Sequence, residues 1–341
     1  MKRKIFMIVL ILIGIAHLCF ADVKEFTRAS MSMNTLISIK VFAEDNKPIN
    51  EAFKLLDNLD KELSMYNSSS IISQINSNAG HQKISVSDEV LEVLNDSLKV
   101  HEISNGVFNP LIGPVTNLWK INRADNTVPS KENLDEAVKL SDISNLEIEN
   151  NSVFLKHEGC ILDLGGIAKG FASKKISDSL KANGVKSAII DLGGNVQVLG
   201  KKIDGSNWNI GVRDPSNARG TPALVLSVND TAIITSGGYE RYKIVNGKKY
   251  SHFFDVKTGE SITNDLLSAT VVTPDGSLAD GLATAFMASG FEKSLEIIKN
   301  ISSSTGVILI RLVDGEIKIY ATENLSQSIS RALYEISILH I

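Results

Sequence analysis

Three stretches of this chain hold residue types at spacings that could do chemistry. The first is Leu162-Asp163-Leu164-Gly165-Gly166-Ile167-Ala168-Lys169-Gly170-Phe171. Read as a strand over 161–164 that ends in a double glycine and opens into a helix, it would aim free backbone N–H groups and a positive helix end at one point. That arrangement suits a phosphate. It is not a Walker P-loop, because neither Gly165 nor Gly170 is followed by Lys and then Ser or Thr. Its glycine spacing does not match the dinucleotide fingerprint either. A tight turn whose glycines serve only the backbone is the plainer alternative.

The second stretch, Ser277 to Ser289, places Asp280 and Thr284 four apart, on one face of a helix. No charged residue occurs from Gly281 to Phe291, so the helix is apolar all round and therefore buried. A carboxylate on a buried helix costs several kcal/mol unless something compensates it. A hard divalent cation would do so, with the Thr hydroxyl as a neutral oxygen ligand one turn later. The rival is a helix start capped by Ser277 with Asp280 in the first turn, worth about 1 kcal/mol. The third stretch joins Thr235-Ser-Gly-Gly-Tyr-Glu-Arg-Tyr242 to Tyr250-Ser-His-Phe-Phe-Asp255, a second strand carrying His252 and Asp255 three apart. His252 could act as a general base or acid near neutral pH, or be a structural strand histidine. Tyr66 and Phe108 could stack on a planar ring or serve as core residues.

These groups need a scaffold. Alternation predicts a strand over 36–41, and apolar residues at helical spacing predict helices over 49–63, 88–103 and 131–140. Two glycines and two prolines forbid one regular element over 104–114. From Val153 onward short strands dominate, at 153–156, 161–164, 187–192, 209–212, 223–228, 232–235, 250–255, 270–273, 307–312 and 317–321. Helices over 168–182 and 278–289 interrupt them. Many strands with few helices between them favour an α+β fold of mixed or antiparallel sheets with packed helices over a doubly wound parallel sheet. Asp163-Leu-Gly-Gly recurs as Asp191-Leu-Gly-Gly, either a duplicated unit or a coincidence.

Composition sets the outer limits. The 341 residues include 35 basic and 39 acidic side chains, and 43% are hydrophobic. That excludes a disordered, collagen-like or coiled-coil chain, and the absence of a basic excess argues against nucleic acid. The length fits one large domain or two intimately packed lobes, spanning 22–341. Lys2, Arg3 and Lys4 precede an apolar run over 5–16 that exits near Cys19-Phe20-Ala21. This is the pattern of a signal peptide over 1–21, and the run is short of the about 20 residues a spanning helix needs. An exported, periplasmic location follows. A retained N-terminal anchor and a lipidated Cys19 are the alternatives, though His17 and Leu18 are poor residues before a lipidation site. Cleavage leaves Cys160 alone, so no intramolecular disulfide is expected and Cys160 reads as a small buried hydrophobe.

Taken together the motifs resemble the ApbE family, the FAD:protein FMN transferases. The resemblance rests on Met33-Asn-Thr35, Leu63-Ser-Met-Tyr66, Gly106-Val-Phe-Asn109 with Gly113-Pro114 and Leu118-Trp119, Asp163 to Gly170, Asp191 to Asn195, Thr235 to Tyr242, His252 to Gly259, and Ala279 to Thr284. It implies a T-fold-like α+β structure and a magnesium-dependent transferase that cleaves the FAD pyrophosphate, esterifies FMN to a Thr or Ser of an exported or membrane redox protein, and releases AMP. It implies magnesium (Mg2+) at Asp280, Thr284 and the backbone oxygen of Ala168. Flavin contacts would come from Met33, Tyr66, Val107, Phe108, Asn109, Gly165, Phe171 and Phe254, with His252 and Asp280 catalytic. Where the family usually has Gly, Asp, Asp or Asn, and Pro, this chain has Asn34, Asn109, Gly238 and Val256. Asn109 removes a charge near the expected flavin, which bears on affinity or metal preference. An FAD pyrophosphatase and a non-catalytic periplasmic flavin-binding protein are the competing readings.

Overall fold

The computed structural model describes residues 23–121, 127–216 and 220–341. The expected signal peptide and Cys19 lie outside the described residues. Among those residues nine strands form one sheet, in the order Lys24–Ser32, Thr35–Ala43, Ser187–Leu192, Asn195–Leu199, Thr231–Gly237, Leu266–Thr273, Gly306–Val313, Glu316–Thr322 and Ile336–Leu339. Every neighbouring pair is antiparallel except the last, which is parallel.

The central strands are buried on both faces, which explains their nearly continuous apolar runs. Ile39, Ile190, Ile234, Val271 and Leu309 point into one cluster beneath the helices Ala168–Ala182 and Gly276–Ser289. Their strand neighbours Ile233, Val272, Ile308 and Ile310 point the other way. There they meet Trp208, Ile210, Leu224 and Leu226 of a three-stranded sheet, Trp208–Arg213, Pro222–Val228 and Ile329–Ala332. The result is the expected α+β architecture, with helices, a large mixed sheet and a small sheet in three layers.

Helices Asp88–Ile103, Lys131–Leu140 and Ala168–Ala182 fall where their periodicity places them. Two expected strands differ. Residues 161–164 are buried or half-buried but form no ladder, because a side chain supplies the hydrogen bonds that a strand partner would. Asn76 accepts from the Leu162 N–H at 2.7 Å and donates to the Leu162 carbonyl at 3.0 Å, while the Asp163 N–H donates to the Pro110 carbonyl. The expected strand 250–255 is instead Lys248–Ser251, and His252 and Asp255 lie beyond its end. The Ser251 hydroxyl accepts from the Phe253 N–H there, which closes the strand locally.

The strand Lys24–Ser32 was not legible in the polar sequence. It pairs with Thr35–Ala43 through a turn in which Met33 (φ 47°) and Asn34 (φ 59°) are both left-handed. Asn tolerates that conformation best after Gly, so Asn34 can replace the usual glycine of the family without changing the turn. The repeated Asp-Leu-Gly-Gly builds two different turns, one closed on its first glycine and the other on its second. Asp163 accepts from the Gly165 N–H before a helix, and Asp191 accepts from the Gly194 N–H in a two-residue hairpin.

The site depends on how closely the helices Ala168–Ala182 and Gly276–Ser289 approach. A Cβ on Gly170 would sit 2.1 Å from the Gly276 carbonyl oxygen, and one on Gly276 would sit 2.4 Å from the Gly170 oxygen. Only two glycines permit this crossing. Gly170→Ala must push the helices apart, an overpacking cost of about 1–3 kcal/mol. Thermal denaturation should show a melting temperature several degrees lower; an unchanged value would mean that the crossing is not tight.

Candidate active site

Asp280 is 3% exposed and lies in the second turn of its helix. The helix is capped by Asp275, whose carboxylate accepts from the Leu278 N–H, so the reading that put Ser277 at the cap does not hold. Ser277 is buried inside the helix and its hydroxyl has no partner among the described residues. Asp280 is therefore not held by a capping role. Its Oδ2 accepts from the Gly170 N–H at 2.8 Å, at the positive start of the neighbouring helix, and Lys169 Nζ lies 4.0 Å from the same oxygen. Among the described residues no hydrogen bond reaches Oδ1.

One turn on, the Thr284 hydroxyl donates to the Gly166 carbonyl at 3.1 Å. Ala168 opens the helix between Gly166 and Gly170. A carboxylate and a hydroxyl one turn apart on one helix, with the loop carbonyl that the hydroxyl reaches, are all hard oxygen donors. The described residues contain no cluster of three His, Cys, Asp or Glu side chains, so a soft or all-side-chain metal site is not formed among them. One carboxylate with neutral oxygens does fit magnesium, which keeps waters and substrate phosphates as its other ligands.

The remaining expected contacts divide into those around this loop and those elsewhere. Phe108 is buried, and its ring edge lies 3.3 Å from where a Gly166 Cβ would stand. Val107 and Met33 are half-buried against the main core. Tyr66 is 66% exposed. Phe171 is fully buried in the core, and Phe254 stacks on Trp119 at 5.9 Å between ring centres, in a separate small cluster. Asn109 uses both ends of its amide structurally: it donates to the Ser141 carbonyl at 2.7 Å and accepts from the Leu111 N–H at 2.9 Å. An ionised Asp could not make the first bond, so the departure at this position comes with a matching acceptor. Gly165 is exposed, yet its N–H is already donated to Asp163 at 2.9 Å. Burial raises the Asp163 carboxyl above its ordinary range; the Gly165 N–H, the Thr116 hydroxyl and the charge of Arg241 oppose that rise.

His252 sits just past its strand, with Nδ1 2.9 Å from the Arg241 carbonyl oxygen. A carbonyl only accepts, so Nδ1 carries the proton and Nε2 keeps its lone pair. Burial pushes the imidazole down to about 4; the charges of Arg241 and Lys169 push the same way, and the hydrogen bond to Arg241 opposes them. The ring is thus a neutral base at physiological pH. Asp255 is not its partner: that carboxylate accepts from the Lys257 and Thr258 N–H groups and builds a turn. Lys169 and Arg241, which carry positive charge between Asp280, Asp163 and His252, were not singled out from the sequence. Their signal was a cation inside each glycine-containing motif.

Comparison with known proteins places this geometry in context. Residues 33–309 match the model of the ApbE family. A protein of Treponema pallidum named FAD:protein FMN transferase is 34% identical over 299 residues, covering 82% of this chain and 83% of that protein. One of the same name from Vibrio cholerae is 28% identical over 320 residues, covering 92% and 95%. Among solved structures, the flavin transferase ApbE of Vibrio cholerae superposes with a TM-score of 0.81 at 27% identity, covering 90% of this chain and 99% of its own. The apo flavinyl transferase ApbE of Pseudomonas stutzeri gives 0.81 at 26% identity, covering 91% and 98%.

The histidine assignment is testable without any ligand. A nitrogen-15 NMR titration of the free protein should show His252 neutral at pH 7, protonated on Nδ1, and titrating near 4. A midpoint near 6.5 would contradict both its burial and its pairing.

Proposed function

The chain belongs to the ApbE family, and from that membership we infer its reaction: it is an FAD:protein FMN transferase. FAD is the substrate, a protein is the acceptor, and the product is a covalently flavinylated flavoprotein. The observation that carries the assignment of chemistry to residues is the buried Asp280 carboxylate, facing a glycine loop with Thr284 one turn later.

Asp280, Thr284 and the backbone oxygen of Ala168 would hold magnesium. When bound, magnesium neutralises and aligns the two phosphates of FAD, which is most of what phosphoryl transfer asks of an active site. The protein's own groups do the rest. Lys169 adds a fixed positive charge beside Asp280. The Gly170 N–H holds the Asp280 carboxylate in one orientation. Nε2 of His252 takes the proton from the hydroxyl of an acceptor Thr or Ser. That oxygen bonds to the phosphorus of the FMN half, the bridging P–O bond breaks, and its electron pair leaves with AMP.

The motif around Lys2 to Ala21 supports a periplasmic location and acceptors among exported or membrane redox proteins, with membrane contact limited to an N-terminal anchor such as a lipidated Cys19. The net charge of -4 gives no general attraction to anionic lipid.

Denaturing gel fluorescence, which detects FMN attached to an acceptor, tests the roles. His252→Ala should lose about 10²–10⁴-fold in rate, the usual worth of a general base. Asp280→Ala should lose more, because it removes charge neutralisation at both phosphates. Near-normal transfer by the Asp280 variant in magnesium buffer would defeat the assignment.

A further inference from the structure

Between Arg241 and His252 the chain makes a two-stranded ribbon, Tyr242–Val245 paired with Lys248–Ser251, which is part of no larger sheet among the described residues. Its two faces differ. On the inner face Lys243 Nζ donates to the Trp119 carbonyl at 2.7 Å, Val245 is buried, and the Tyr250 ring lies 5.1 Å from Trp119. The ribbon is therefore anchored. On the outer face Tyr242 is 44% exposed and Ile244 58% exposed, with Ser251 and Lys249 opposite them in register. Lys249 Nζ stands 4.2 Å from the centre of the Tyr242 ring.

The charge is one-sided as well. Residues 241–251 carry Arg241, Lys243, Lys248 and Lys249 and no acidic side chain, within a chain of net charge -4. Tyr242 and Ile244 with Lys249 beside them, on a ribbon whose Arg241 and Lys248 are also exposed and whose outer backbone edges have no strand partner among the described residues, fit an extended acidic segment of another protein. The strand Lys248–Ser251 also runs directly into His252. Each strand has four residues, so the ribbon spans about 13 Å at ~3.3 Å per residue.

Building on the transferase reading, we infer that the outer face of this ribbon docks the acceptor protein. An extended, acidic segment lies beside Tyr242, Ile244 and Lys249 and delivers its Thr or Ser hydroxyl to Nε2 of His252. A water molecule attacking FAD makes no use of this surface, so docking here favours the protein nucleophile by raising its local concentration beside His252.

The test compares the full-length wild type with Ile244→Asp, Lys249→Glu and, as a control on a distant exposed side chain, Ile203→Asp. The probe is an exported redox domain that the wild type labels with FMN. Ile244→Asp and Lys249→Glu should raise KM for this domain about tenfold. KM for FAD and the slow release of AMP in the absence of acceptor should stay at wild-type values, and Ile203→Asp should change nothing. An unchanged acceptor KM in both ribbon variants overturns the docking surface while leaving the transferase reading intact. A rise in KM for FAD instead would mean that the cations serve the pyrophosphate, which also overturns it. A wild type that releases AMP yet labels no protein removes the transferase reading, and the docking surface with it.

Discussion

The hydrogen bond between the Gly170 N–H and the Asp280 carboxylate is the contact on which the rest of the site depends. It crosses from the first turn of one buried helix to the second turn of another. A carboxylate this deep is expensive unless compensated. Here the compensation is partial: one backbone donor, a helix start and a lysine amine 4.0 Å away. A second oxygen stays available beside a hydroxyl and a loop carbonyl. The fold thus stores an acidic group in a place where the proposed cation would offset its desolvation.

Everything that positions this contact is closely packed. The two helices touch through Gly170 and Gly276. They lie on a sheet whose central strands are packed on both faces, so neither helix can shift without opening a core cluster. Thr284 rides on the same helix as Asp280 and reaches the Gly166 carbonyl, tying the loop before the first helix to the second. His252 is held by different means, a backbone carbonyl at Arg241 and a ring neighbour in Phe253, at the end of a ribbon that packs one face on Trp119 and leaves the other exposed. The proposed magnesium ligands on a closely packed floor and the proposed base beside an accessible ribbon suit a reaction in which one substrate is small and the other is a protein.

Much of this was legible in the sequence, for physical reasons that differ from element to element. The helices Asp88–Ile103 and Ala168–Ala182 declare themselves by apolar spacing, and the charge-free run after Asp280 correctly signals burial. What failed were hydrogen-bond partnerships, one with a distant side chain and others with a residue only two positions away. Residues 161–164 look like a strand, but the Asn76 side chain takes the place of a neighbouring strand, and nothing local announces it. Ser277 resembles an N-cap, yet Asp275 two positions earlier takes that place. Gly165 was expected to offer its N–H to a phosphate, whereas Asp163 holds it. Lys169 and Arg241 stood inside recognised motifs, but their electrostatic reach to His252 exists only in three dimensions.

The most direct measurement is anomalous diffraction from crystals of the protein grown with FAD and Mn2+ in place of Mg2+. The account predicts a single strong peak within about 2.2 Å of an Asp280 carboxylate oxygen and the Thr284 hydroxyl, in contact with both phosphates of FAD. Manganese bound elsewhere, with Asp280 still engaged by the Gly170 N–H alone while FAD occupies its site, would contradict it.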